Sequence, residues 1–153
     1  MMINSIFRKF NLWILLALPL ILTTSCSYLQ TRELRQKREQ WASQKIANYQ
    51  YTIKLVAFNA DGGKPVLIEV RDGKQVSMKC VGCELKQPET FTKLDTIEKL
   101  FETIEKGIEN NENSLEIKYD KSLGYPLYWR GEMKKEATDN WWKYEISNFE
   151  VIG

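Results

Sequence analysis

The chain is 153 residues long, 43 % hydrophobic, and carries 22 Lys and Arg against 20 Asp and Glu, a formal charge of +2. It contains no histidine, which excludes Ser-His-Asp and Cys-His nucleophiles and every His-ligated metal centre. The near-balanced charge, without a basic stripe, implies no nucleic-acid partner, and no cofactor is implied.

The first ten residues hold Arg8 and Lys9 and no acid, and the uncharged run "LWILLALPLIL", Leu12–Leu22, follows. A basic start, an apolar run of this length and small residues at its boundary predict a secretory signal peptide. A spanning helix needs about 20 predominantly apolar residues, and this run has 11. The boundary "LTTSC" resembles the lipobox of bacterial lipoproteins, with Thr23 where leucine is usual. In that family the cysteine becomes the first mature residue and its thiol is joined to a diacylglycerol. The resemblance implies cleavage after Ser25 and lipidation of Cys26, with palmitate-type chains holding the protein to membrane lipid in the cell envelope. Ser27, rather than an aspartate, follows; in a cell with two membranes this favours the outer one, on its periplasmic side. An uncleaved anchor over the uncharged stretch Phe10–Thr31 and simple secretion remain alternatives.

This reading divides the chain into a signal peptide, 1–25, a lipid anchor with a polar tether and helix start, 26–40, and a single α+β domain, 41–153. Residues 1–25 hold two basic residues and no acid, so the remainder carries 20 of each sign. The remaining length suffices for one domain with its own core.

"TRELRQKREQWASQKIANYQ" predicts a helix. Thr31 can cap it, and Glu33 in its first turn suits the helix dipole. Leu34, Trp41, Ala42, Ile46 and Tyr49 give a thin apolar stripe. Arg32, Arg35, Lys37 and Arg38 either face anionic headgroups or form a solvated tether face.

"YQYTIKLVAF" alternates at period two, with Tyr49, Tyr51, Ile53, Leu55 and Ala57 on one face of a strand. After the loop "NADGGKP", "VLIEVRDGKQVSMKC" predicts a hairpin. A three-residue loop Arg71-Asp72-Gly73 would pair Val70 with Lys74, Ile68 with Val76 and Val66 with Met78. Cys80 and Cys83 form a C-x-x-C pair. A structural disulfide, a redox-active dithiol and a metal site are the three readings. A zinc ribbon wants two more ligands, and a thioredoxin-like site wants its first cysteine at a helix N-terminus.

"LDTIEKLFETIEKGIENN" is the clearest helix, with Asp95 as cap and Glu98 completing a capping box. Ile97, Leu100, Phe101, Ile104 and Ile108 line one stripe. "SLEIKYD", "PLYWR" and "WWKYEISNFEVI" predict three more strands, the last two separated by the polar loop around "KKEATDN". The order α-β-β-β-α-β-β-β predicts an α+β fold: an antiparallel sheet of about six strands with helices on one face.

The strand end Tyr119-Asp120, followed after three residues by Gly124-Tyr125-Pro126, resembles the mark of a bacterial domain-of-unknown-function family of small exported lipoproteins. Trp41 ahead of Tyr49 and Tyr51, and Asp139 with Tyr144 and Phe149, extend the resemblance over Trp41–Glu150. "LYWRGEM" departs from the family's pattern. The resemblance implies export and lipid anchoring, with no activity attached. Physically, Asp120 can start a turn, Gly124 permits positive φ and Pro126 fits the first residue of a strand. Alternatively Tyr125, Tyr128 and Trp129 present an aromatic surface.

These readings converge on a non-enzymatic envelope lipoprotein that binds or scaffolds an unknown protein or small molecule. Two alternatives are thiol-disulfide chemistry at Cys80 and Cys83, and a hydrolase using Asp120 and Asp139, with Glu132 and Glu145 as further candidate acids.

Overall fold

The computed structural model describes residues 28–57, 61–110, 113–132 and 141–153. Helix α1 covers 28–43. Strands β1 (Tyr49–Val56), β2 (Pro65–Arg71) and β3 (Lys74–Cys80) follow, then a 3-10 turn (Pro88–Phe91) and helix α2 (Ile97–Glu109). Strands β4 (Asn113–Tyr119), β5 (Pro126–Glu132) and β6 (Trp141–Val151) complete the order. The fold is α+β, as the sequence predicts.

One antiparallel sheet runs β3-β2-β1-β6-β5-β4. It consists of two three-strand meanders joined side by side at β1 and β6. The segment from β3 to β4 must therefore travel from one sheet edge to the other, and α2 makes that crossing over one face.

The period-two pattern of β1 puts Tyr49, Tyr51, Ile53 and Leu55 under the helices, all buried. Val66, Ile68 and Val70 of β2 join them, as do Phe91, Leu94 and the α2 stripe Ile97, Leu100, Phe101, Ile104 and Ile108. Burying such side chains stabilises by about 1.5–3 kcal/mol each. Asn148 adopts φ 50° where the β1–β6 register shifts opposite Gln50–Thr52. This bulge lets Ile146 and Phe149, three residues apart, share the core face.

Helix α1 belongs to the fold from its first described turn. Leu34 is 2 % and Trp41 3 % exposed, and Gln30 donates through Nε2 to the Leu115 carbonyl at 2.9 Å. Thr31, expected as its cap, lies inside it. It ends at 43, short of the expected Gln50, because Lys45 takes φ 53° and turns the chain into β1.

Two expectations shift by one residue. The cap of α2 is Thr96, whose Oγ1 accepts from the Lys99 amide at 3.3 Å; Asp95 instead pairs with Lys99 Nζ at 2.8 Å. The β2–β3 turn is the two-residue Asp72-Gly73, both at positive φ (50° and 71°), so Arg71 pairs with Lys74. A turn with positive φ at both positions matches the strand twist, and aspartate tolerates it. A bulge at Val76 then moves the pairing one residue further, so none of the expected pairs forms: Val70 pairs with Gln75 rather than Lys74, Ile68 with Met78 rather than Val76, and Val66 with Cys80 rather than Met78.

Candidate functional site

Residues far apart in sequence meet where α1 ends over the sheet. Trp41 lies edge-on to Tyr49 (5.4 Å between centroids), Phe149 (5.7 Å) and Tyr125 (6.1 Å). Tyr125 stacks on Phe149 at 4.4 Å, and Phe149 on Tyr49 at 5.6 Å. Such offset and edge-on pairs add about 0.5–1.5 kcal/mol each beyond area burial.

Glu98 closes the cluster from α2. Its Oε1 accepts from Trp41 Nε1 at 2.9 Å, and its Oε2 accepts from the Tyr49 hydroxyl at 3.3 Å. The same Tyr49 oxygen accepts from the Ile97 amide at 3.0 Å, which the helix leaves without an internal partner. Desolvation raises the Tyr49 phenol well above its ordinary range, and the Glu98 charge adds to this. Tyr51, raised likewise by burial, donates to the Leu94 carbonyl. Both phenols stay protonated, as their donor roles require.

The Tyr119–Pro126 motif is a closed turn. Asp120 Oδ1 accepts from the amides of Ser122 (2.9 Å) and Leu123 (2.7 Å), and the Gly124 amide returns to the Asp120 carbonyl at 3.1 Å. Gly124 takes φ 87°, and Pro126 opens β5. Gln40 of α1 donates through Nε2 to the carbonyls of Lys121 and Ser122, both at 2.9 Å. Tyr119 stacks on Phe101. Tyr125 is 7 % and Trp129 0 % exposed, which removes both from any surface aromatic platform. Burial, then the Asp120 charge, pushes Tyr125 up to about 12.

A second knot lies at the opposite end of the sheet. The Asp61 carboxylate is buried and accepts from Lys64 Nζ at 2.7 Å, from the Lys86 amide at 2.9 Å and from the Gln87 amide at 2.6 Å. The Lys64 hydrogen bond, followed by the backbone amides, holds its pKa down at about 2. Lys64 Nζ also donates to the Glu84 carbonyl at 2.7 Å. This pins the segment that follows Cys80 and Cys83, which the structure joins as a disulfide. Cys80 closes a strand rather than opening a helix, and Val81, Gly82 and Cys83 are exposed.

Among the described residues no element covers the sheet face away from the helices, and that face is charged. Lys143 pairs with Glu145 (2.8 Å), Lys118 with Glu116 (3.0 Å) and Arg130 with Glu132 (3.4 Å). Lys54 stands opposite Glu145, and Tyr128 on the other side of it. Lys118 Nζ sits 5.0 Å from the Tyr128 ring centre, and the Arg130 guanidinium 5.4 Å from that of Trp141. The candidate acids Glu132 and Glu145 are thus ion-paired. Lys37 and Arg38 are engaged within the domain, with Gln40 and with Glu105. Cys26 and Asp139 lie outside the described residues.

Asp61 and Glu98 escaped sequence reasoning as site residues. Each contacts partners at least 25 residues away, beyond any local spacing rule. The turn motif, whose bonds are local, was legible. No curated protein and no solved structure matches the chain. The model of a family of unknown function matches residues 33–151, and on that coverage the chain belongs to the family of unknown function DUF6174.

Proposed function

We propose that the protein is a lipid-anchored envelope lipoprotein whose domain binds or scaffolds a partner without catalysis. Anchorage rests on the "LTTSC" boundary and its Cys26. The binding role rests on one observation: a six-stranded sheet with one face that no described element covers, where Tyr128 is set among paired charges. Such a face suits a polar partner, because its charges are already arranged to meet complementary ones. Asp120 gives the hydrolase alternative little support, since its carboxylate is committed to two turn amides.

Two measurements test the reading. Intact mass of the native protein should show a chain starting at Cys26 with a diacylglyceryl adduct, absent in Cys26→Ala. A photo-crosslinker at Tyr128 should capture a defined partner that one at Glu102, on the exposed side of α2, does not. Equal capture from both positions, or a chain retaining Met1 without acyl groups, defeats it. The C-x-x-C bridge, with Cys83 exposed and Cys80 half-buried, favours one second reading, thiol-disulfide exchange with a partner. A reduction potential in the range of known oxidoreductases would support it.

A further inference from the structure

Six large apolar side chains stand out from the described surface, and four of them gather at one end of the sheet. These are Tyr28 (68 % exposed), Leu29 (59 %), Val81 (54 %) and Trp141 (37 %). The strand pairing fixes their common location. Trp141 opens β6 opposite Glu132, the last residue of β5. Val81 follows the end of β3, and its amide bonds the carbonyl of Pro65, where β2 begins. Tyr28 and Leu29 start α1, and the next residue, Gln30, bonds Leu115 near the beginning of β4. The other end carries the Asp72-Gly73 turn and the Asp120–Tyr125 turn.

We propose that this end of the sheet is seated on the lipid bilayer, with Tyr28, Leu29, Val81 and Trp141 among the headgroups. The proposal rests on acylation of Cys26. Only Ser27 separates that residue from Tyr28. A chain reaches at most about 3.6 Å per residue, so Tyr28 lies within about 7 Å of the acylated cysteine. The interfacial layer is itself about 5–7 Å deep on each side of the hydrocarbon. The first turn of α1, rigidly part of the domain through Gln30 and Leu34, is therefore drawn to headgroup level.

Tyr and Trp prefer that level, where an apolar ring and a polar edge are both satisfied. Arg32 and Arg35 are exposed on α1, about 4.5 and 9 Å along the helix from Leu29. Both stay within the Debye length of about 10 Å that holds at 0.1 M ionic strength. Val81 lies beyond edge strand β3 and Leu29 beside edge strand β4, five strand spacings or about 24 Å apart. Contacts at both edges level the domain, so that the turns at the far end point away from the membrane and the charged face stands beside it.

The native tryptophans test this. Trp41 and Trp129 are in the core and Trp142 is half-buried against it, whereas Trp141 is exposed. The acylated protein is placed in phosphatidylcholine–phosphatidylglycerol vesicles whose lipids carry bromine high in the acyl chains. Part of the emission should be quenched relative to unbrominated vesicles, and Trp141→Phe should lose most of that quenched part. Acylated, vesicle-bound wild type that shows no quenching overturns the proposal while leaving the anchor intact, as does quenching unchanged in Trp141→Phe. An unacylated mass that fails to float with vesicles overturns the anchor and this orientation with it.

Discussion

The carbonyl oxygen of Lys37 lies 2.8 Å from the point where a Cβ on Gly124 would sit, and Gln40 Cβ lies 3.0 Å from it. The β4–β5 turn therefore has a glycine for two independent reasons. Its backbone is left-handed at φ 87°, and α1 rests directly upon it. Gly73 shares the first property, with φ 71°, but has nothing within 4 Å.

That contrast gives a test. Gly73→Ala should cost about 1–2 kcal/mol, the strain of a Cβ in the left-handed region. Gly124→Ala adds overpacking against helix backbone and should cost roughly 2–5 kcal/mol. Urea denaturation of both variants measures the difference. Equal losses would mean that α1 moves aside freely and is not seated on the turn.

Glu98 should hold the aromatic cluster together. Glu98→Ala strands the Trp41 indole N–H and the Tyr49 hydroxyl, and should cost about 1–2 kcal/mol, since the exposed carboxylate's place is open to water. A double-mutant cycle with Trp41→Phe isolates the contact. Coupling of about 1 kcal/mol is expected; additivity within about 0.3 kcal/mol would show that the bond contributes nothing.

Glu98 also shows what the sequence could and could not convey. Helix α2 and strand β1 were legible because burial repeats at 3.6 and 2.0 residues. The cap was not, because Asp95 and Thr96 can both accept an amide and a one-residue shift leaves the apolar stripe unchanged. That shift frees Glu98 from a capping box for Trp41 and Tyr49, a change of role that no periodicity reveals. In the β2–β3 hairpin, the apolar pattern demanded a bulge, which the sequence reading placed in the turn. The chain puts it at Val76, where the exposed edge strand accommodates an extra residue. Trp41, Tyr49, Tyr125 and Phe149 carried the family resemblance, but only the fold shows that they meet in one core cluster.

Asp61 should make the protein acid-sensitive in a defined window. Its pKa is held at about 2 in the fold, against about 3.9 in an unfolded chain. A lowered folded-state pKa adds stability that is present above about pH 4 and is lost as pH falls toward 2. Stability measured by denaturant from pH 5 to 2 should therefore decline more steeply in wild type than in Asp61→Asn. Hydrogen exchange at the Lys86 and Gln87 amides should accelerate in the variant even at neutral pH. Parallel pH profiles would show that another carboxylate governs the acid limb.

The Cys80–Cys83 bridge should matter less to stability than its place suggests. It spans a sequence separation of 3, and closing so small a loop limits the unfolded chain by about 2 kcal/mol at most. The Asp61 carboxylate and Lys64 hold the residues that follow without any help from sulfur. Reduction, or the paired change Cys80→Ala and Cys83→Ala, should thus lower stability by no more than about 2 kcal/mol and leave the Lys86 and Gln87 amides protected. Loss of that protection on reduction would show that the bridge, rather than the buried carboxylate, fixes this end of the sheet. Protection retained after reduction means that the loop can cycle between thiol and disulfide while the domain stays folded.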